Sequence, residues 1–155
     1  MDLNKPSFLE SGIVDVIWGQ QVKVVLPVNL YGCTIGDNCF IGPFVEIQKG
    51  VCIGAKCRIQ SHSFICELVT IGTNCFIGHG VTFINDKFSD GKPAEGDKEK
   101  WKETRIGNNV SIGSNVTILP VNICDNVVIG AGAVVTRDIK IKGKYAGNPA
   151  KLISK

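Results

Sequence analysis

The chain has only two histidines, His62 and His79, set 17 residues apart. His79 stands in the stretch "GHGVTFINDKF", Gly78 to Phe88, which also holds Asn85 and Asp86. A histidine that titrates near neutrality can take a proton from an attacking nucleophile. An asparagine offers a donor and an acceptor and can hold an amine or a carbonyl without carrying charge. Asp86 beside it is either a contact for the same substrate or the second half of a turn-forming Asn-Asp pair. Glu46 in "FVEIQ", Gln60 in "IQSHSF" and Trp101 are further candidates for contact with an acceptor molecule. Near the end of the chain Arg137, Lys140, Lys142, Lys144, Lys151 and Lys155 stand against Asp138 alone. That asymmetry is either a solvated tail or a site for a polyanion.

These residues hang on a strict repeat. Stepping by six from Ile35 meets Ile41, Ile47, Ile53, Ile59, Ile65, Ile71, Ile77 and Phe83. Two residues before each stands a small or β-branched side chain: Cys39, Val45, Val51, Cys57, Ser63, Val69, Cys75, Val81. The rhythm returns at Ile106, Ile112 and Ile118, takes one five-residue step to Ile123, and continues to Ile129, Val135 and Ile141. A period of six fits neither an α-helix nor a hairpin. Within each unit, period 2 puts the small and the large residue on one face of a short strand. Three such strands and three corners make a triangular coil of about 18 residues, and coils stack as parallel strands about 4.8 Å apart. His62 and His79 then fall near one corner on adjacent coils.

The same period explains three of the seven cysteines. Cys39, Cys57 and Cys75 recur at one inward position and read as a packing ladder, since a free cysteine behaves as a small hydrophobe. With an odd total and no CxxC pair, neither a disulfide framework nor a cysteine metal site is indicated. Cys33, Cys52, Cys66 and Cys124 carry no assigned chemistry. The 22 residues between Phe83 and Ile106 leave the repeat altogether. They are polar, with six acidic and six basic side chains, and should be a loop extruded from a corner of the stack. Trp101 argues that this loop packs on a surface rather than waving free.

Composition bounds the rest. The 155 residues are 44% hydrophobic but 7% aromatic, so a single domain with an aliphatic core is expected. A formal charge of +3 gives no argument for nucleic acid or for an anionic membrane. Asp2, Glu10 and Asp15 interrupt any apolar run at the start, and no stretch nears the roughly 20 apolar residues of a spanning helix. A cytoplasmic protein is expected.

Residues 30–150 resemble the hexapeptide-repeat acyltransferases, which fold as left-handed parallel β-helices and are typically trimers with active sites in the clefts between subunits. The handedness comes from the resemblance alone, because the general crossover rule favours right-handed connections. The motifs "HGVTFINDKF", "FVEIQ" and "YAGNPAK" look like the N-acetyltransferases of nucleotide-linked 3-amino sugars, which supply bacterial surface polysaccharides. The resemblance places Asn85 near the sugar amine and the thioester. His79 and His62, one coil apart beside the excursion, are the other catalytic candidates, with Asp86, Glu46, Gln60 and Trp101 toward the substrate. It assigns Gly130, Ala131, Gly132 and Ala133 to the pantetheine groove of acetyl-CoA, and Asn148, Pro149 and Lys151 to its nucleotide end. Where relatives acting on UDP-uronates read "ND-K-[FY]-P-R", this chain reads "NDKFSDG", which leans toward a dTDP-linked 3-amino-3,6-dideoxyhexose.

The expected architecture is therefore all-β: a left-handed parallel β-helix of hexapeptide repeats forming one domain over 1–155. It has an N-terminal cap over 1–29, about five coils over 30–84 and 106–145, a loop over 85–105 and a tail over 146–155. The expected co-substrate is acetyl-CoA without a metal, and the expected partners are a nucleotide-linked amino sugar and two further copies in a homotrimer. Acetylation of another small acceptor is one alternative. A zinc hydratase is another, although that chemistry takes three histidine ligands and this chain has two. A third is a non-catalytic β-helix, against which "GNPAK" speaks.

Overall fold

The computed structural model describes residues 6–154. It is an all-β parallel solenoid of triangular cross-section, as a left-handed β-helix requires, and its strands fall into three sheets. The first sheet holds β1 (Ile13–Val14), β4 (Asn29–Tyr31), β7 (Glu46–Ile47), β10 (Phe64–Ile65), β13 (Thr82–Phe83), β16 (Thr117–Ile118) and β19 (Val134–Val135). The second holds β2 (Ile17–Trp18), β5 (Thr34–Ile35), β8 (Cys52–Ile53), β11 (Val69–Ile71), β14 (Thr104–Ile106) and β17 (Asn122–Ile123). The third holds β3 (Lys23–Val24), β6 (Phe40–Ile41), β9 (Arg58–Ile59), β12 (Phe76–Ile77), β15 (Ser111–Ile112), β18 (Val127–Ile129), β20 (Gly143–Ala146) and β21 (Lys151–Ser154). The chain turns the first corner between sheets one and two, the second between two and three, and the third on its way back to sheet one.

The repeat positions point where the six-residue period says they must. Ile41, Ile47, Ile59, Ile65, Ile77, Phe83, Ile112 and Ile118 are completely buried, with Val51, Val81, Val110 and Val116 packed between them. Each coil is too thin to bury these residues alone, so its core is completed by its neighbours. At the second corner Cys39 Sγ donates to Gly54 O at 3.1 Å, Cys57 Sγ to Gly72 O at 3.1 Å and Cys75 Sγ to Gly107 O at 3.1 Å. The backbone N–H groups of Cys57 and Cys75 in turn point at the sulfur one coil back, at 3.4 and 3.5 Å. The ladder thus satisfies corner carbonyls as well as filling space.

Four expectations need correction. The segment 1–29 is not only a cap, because β1, β2 and β3 pair in register with β4, β5 and β6 and form a full coil. With seven strands in the first sheet, the stack is also taller than five coils. Ile141 does not continue the core. It is exposed, and Ile139 takes the inward place by bridging to Ile123. The final segment is not a loose tail, since β21 pairs antiparallel with β20 and closes the last coil with a hairpin.

The loop leaves at the first corner of the fifth coil, between β13 and β14. Its removal from the wall costs no register, because Val69, Thr70 and Ile71 still pair with Thr104, Arg105 and Ile106. A single 3-10 turn at Lys98–Lys100 lies within it.

Candidate active site at a corner and a loop

His79 lies at the third corner, in the glycine-flanked turn that leads into β13. Its Nδ1 shares a hydrogen bond of 2.9 Å with the hydroxyl of Ser61, its equivalent one coil back. That bond occupies Nδ1, and Nε2 has no hydrogen-bond partner among the described residues. His62 occupies the next position of the same corner, where its rung partners are Phe44 and Gly80. Its ring stacks on Phe44 with centroids 4.8 Å apart. The two histidines are therefore neighbours on separate rungs, and it is Ser61, not His62, that touches His79.

Asn85 stands at the other end of β13, where the loop departs. Its Nδ2 donates to Glu67 O at 3.2 Å, and its own carbonyl accepts from Lys102 N at 2.9 Å. Asn85 thus pins both the exit of the loop and its return. His79 and Asn85 bracket the strand from opposite edges of the first sheet, so they lie up to about 20 Å apart along the chain. Within one chain they do not meet.

Between the outer face of the first sheet and the loop lies a cleft of ≈ 630 Å³. Its wall is Phe64, Cys66, Ile84 and Leu119, and the loop side is Phe88 and Trp101. Gln48, Thr82, Asn85, Asp86 and Lys87 supply the polar groups. Asp86 is also a structural tie: its carboxylate accepts from Phe88 N at 2.9 Å and from Ala94 N at 2.7 Å, holding the buried Ala94 in place. Lys98 crosses back to the wall and pairs with Glu67 at 2.8 Å, while Lys100 pairs with Asp90 at 2.9 Å inside the loop. The loop is a fastened strap, as Trp101 suggested.

Glu46 lies on the outer face next to the cleft, and Gln48 Nε2 donates to it at 2.9 Å. Gln48 Oε1 accepts from Glu67 N at 3.3 Å, so one amide bridges two acidic residues. Burial first, then the negative charges of Glu46 and Glu67, push the Tyr31 phenol above its usual range. Gln48, Phe64 and Tyr31 were not among the residues singled out from sequence. The signal for Phe64 was present, since it takes an outward position on β10, which pairs with β13; Gln48 lies just past β7, one strand further along the sheet. Burial pushes the Cys66 thiol up to about 12, so it stays neutral in the cleft wall.

At the far end of the stack, Gly130, Ala131 and Gly132 form the third corner after β18. Ala133 does not belong with them: it is 1% exposed, an inward core residue, because it occupies the small position of the repeat. The segment Gly147–Lys151 docks beside this corner. Val134 N donates to Gly147 O at 3.0 Å, and Ala150 N donates to Val134 O at 2.8 Å. Asn148, Pro149 and Lys151 are exposed there. Backbone corners, an exposed lysine and the hairpin thus form one continuous edge. Among the described residues no cluster of three metal-ligating side chains occurs, and no helix is long and apolar enough to cross a membrane.

The chain belongs to the hexapeptide-repeat transferase family. The bacterial transferase hexapeptide model matches residues 32–67, and the hexapeptide repeat of succinyl-transferase matches 68–84 and 103–137, together more than half of the chain. Galactoside O-acetyltransferase of Escherichia coli is 38% identical over 130 residues, covering 77% of this chain and 62% of that protein. The bifunctional protein GlmU of Campylobacter concisus is 44% identical over 105 residues, covering 67% of this chain; the chain spans only 21% of that relative's length. Among solved structures, a variant of AntD, an N-acyltransferase from Bacillus cereus in complex with dTDP and coenzyme A, superposes with a TM-score of 0.76 at 20% identity, covering 90% of this chain and 83% of that one. This last likeness is one of fold.

Proposed function

We propose that this protein is an acetyl-CoA-dependent N-acetyltransferase acting on the 3-amino group of a nucleotide-linked amino sugar, dTDP-linked rather than UDP-linked, in the cytoplasmic supply of surface-polysaccharide precursors. The observation that carries it is the cleft of ≈ 630 Å³ under the loop, with Asn85 at its mouth. Its walls are mostly apolar, and that suits a deoxysugar better than a uronate. The dTDP and coenzyme A held by AntD support the same choice of ligands.

In the reaction the neutral amine nitrogen attacks the thioester carbonyl carbon. A C–N bond forms, the C–S bond breaks, and coenzyme A leaves as the thiolate. The ammonium proton goes to His79 Nε2 or to that thiolate. Asn85 orients the amine, which is chiefly a matter of positioning. Backbone N–H groups at the third corner are the candidates to face the oxyanion.

Because His79 and Asn85 lie at opposite edges of the first sheet, a site that uses both needs a second copy. The proposed homotrimer supplies it, with His79 of one subunit facing Asn85 of the next. Mixing tests this directly. His79→Ala and Asn85→Ala proteins, each nearly inactive alone, should regain activity when unfolded and refolded together, as some interfaces then carry both native residues. No recovery in mixed trimers would place both residues in one subunit's site or in none.

A second reading is O-acetylation of a sugar hydroxyl, favoured by the 38% identity to galactoside O-acetyltransferase and by the Ser61–His79 pair, since a hydroxyl needs a base more than an amine does. Thiol release from acetyl-CoA with a panel of nucleotide-linked amino sugars and plain galactosides separates the two. Turnover with galactosides alone would overturn the amine reading.

A further inference from the structure

The stretch "FVEIQ" ends on Gln48, and the reaction described above gives that residue nothing to do. Its side chain nevertheless joins two coils. Gln48 Nε2 donates to Glu46 Oε1 at 2.9 Å, and Gln48 Oε1 accepts from Glu67 N at 3.3 Å. Both partners work in one direction only. A carboxylate oxygen accepts and a backbone N–H donates, so a reversed carboxamide would set acceptor against acceptor and donor against donor. The orientation of Gln48 is therefore fixed by its partners.

Glu67 lies at the first corner, one coil before Asn85, and it is held at three points. Its N–H goes to Gln48, its carbonyl accepts from Asn85 Nδ2 at 3.2 Å, and its carboxylate pairs with Lys98 of the loop at 2.8 Å. A carbonyl oxygen accepts and never donates. It thus draws the nitrogen of the Asn85 amide to the wall, and Asn85 Oδ1 has no hydrogen-bond partner among the described residues. Asn85, the Glu67 backbone, Gln48 and Glu46 form one chain of hydrogen bonds, with every donor pointing toward Glu46. A fully satisfied network of this kind holds its members in a single arrangement. All four residues are half-buried, and Gln48 and Asn85 both line the cleft.

We propose that Gln48 is a positioning residue for Asn85: by fixing the corner at Glu67 it turns the Asn85 carboxamide so that the oxygen faces the acceptor and takes an N–H from the attacking amine. The inference rests on the acetyltransferase reading above and concerns the acceptor half of that site. It leaves the oxyanion to donors other than Asn85. Gln48 itself need touch no substrate.

A double-mutant cycle tests the route. Gln48→Met keeps the length of the side chain and removes both hydrogen bonds. In the native background it should lower kcat about tenfold with KM for the acceptor little changed. In an Asn85→Ala background, where no carboxamide is left to orient, it should change kcat by less than about twofold, because members of one network are not additive. Equal losses in both backgrounds overturn the inference, since Gln48 then acts on the substrate or the fold without Asn85. Gln48→Ala repeats the cycle should Gln48→Met misfold. A second readout needs no substrate. In protein isotope-labelled at asparagine nitrogen, the side-chain amide resonances of Asn85 are identified by their loss in Asn85→Ala. They should shift in Gln48→Met, while those of the Asn74–Asn109–Asn126 ladder at the second corner stay in place. Unmoved Asn85 resonances overturn the inference. Absence of acetyl transfer by the wild type to every amine tried overturns the reading above, and the resonances still report the hydrogen bonds. Full transfer by Gln48→Met sinks the positioning role alone.

Discussion

At the scale of single residues, the roles of His79 and Asn85 separate by kinetics. Asn85→Ala should lower kcat and kcat/KM together, by on the order of 10²-fold, because an orienting contact to the reacting amine is lost. His79→Ala should cost on the order of 10²-fold in kcat. A cost of tenfold or less, about 1.4 kcal/mol, assigns the proton to the departing thiolate instead. The cysteines give a check on the fold that needs no substrate. Cys33, Cys39, Cys57, Cys66 and Cys75 are buried, Cys52 is exposed and Cys124 half-buried. Thiol titration of the native protein should show two accessible groups and, after denaturation, seven. The ladder of Cys39, Cys57 and Cys75 was legible in the sequence because the 18-residue spacing puts them at one inward position. Cys33 carries the same signature, two residues before Ile35, and could have been placed with them. Cys66 could not: it falls one place past Ile65, at an outward position of the period, yet it is 3% exposed in the wall of the cleft under the loop.

At the scale of the element, the loop was legible as an interruption and illegible as an object. A broken rhythm marks where the chain leaves and rejoins the wall, but no local pattern says that Lys98 will reach Glu67 or that Asp86 will fold the loop on itself. Those contacts join residues whose proximity depends on coil stacking. Asp86 is the more important tie. The exposed ion pairs are screened by water and contribute little, whereas losing the Asp86 carboxylate orphans the N–H of buried Ala94 at about 1–3 kcal/mol. Asp86→Ala should therefore leave the β-helix intact by circular dichroism, speed amide exchange at Phe88 and Ala94 roughly tenfold or more, and raise KM for the acceptor. Unchanged exchange would mean that the loop is held from elsewhere. The separation of His79 from Asn85 has a related reason: an extended strand sends its two ends to different corners.

At the scale of the whole molecule, the stack is held by close approach and by neutral buried groups, and both can be probed. Gly78→Ala would force apart two coils whose backbones meet at the third corner; overpacking of this kind costs about 1–3 kcal/mol, and Tm should fall by several degrees. Burial raises the Cys33 thiol to about 11 and the Cys66 thiol to about 12, from an ordinary value of 9.0. For these two groups the folded state prefers the protonated form, so their contribution is complete below pH 9 and is lost as pH rises from there toward 12. Tm should accordingly fall with pH above 9, and Cys66→Ser, unlike Cys52→Ser, should flatten that fall. The repeat announced the solenoid, its inward residues and its corners, since six-residue spacing admits almost no other architecture. It did not announce the first coil or the closing hairpin, where a coil has only one neighbour and the apolar code loosens: Ile13 and Trp18 point inward yet remain 46% and 40% exposed. One further consequence lies in the pairing of Val69–Ile71 with Thr104–Ile106 across the loop. The wall is sewn shut behind the insertion, so the excursion behaves as a cartridge: the segment between Phe83 and Thr104 can be shortened, lengthened or exchanged while the register of the scaffold beneath carries on unaltered.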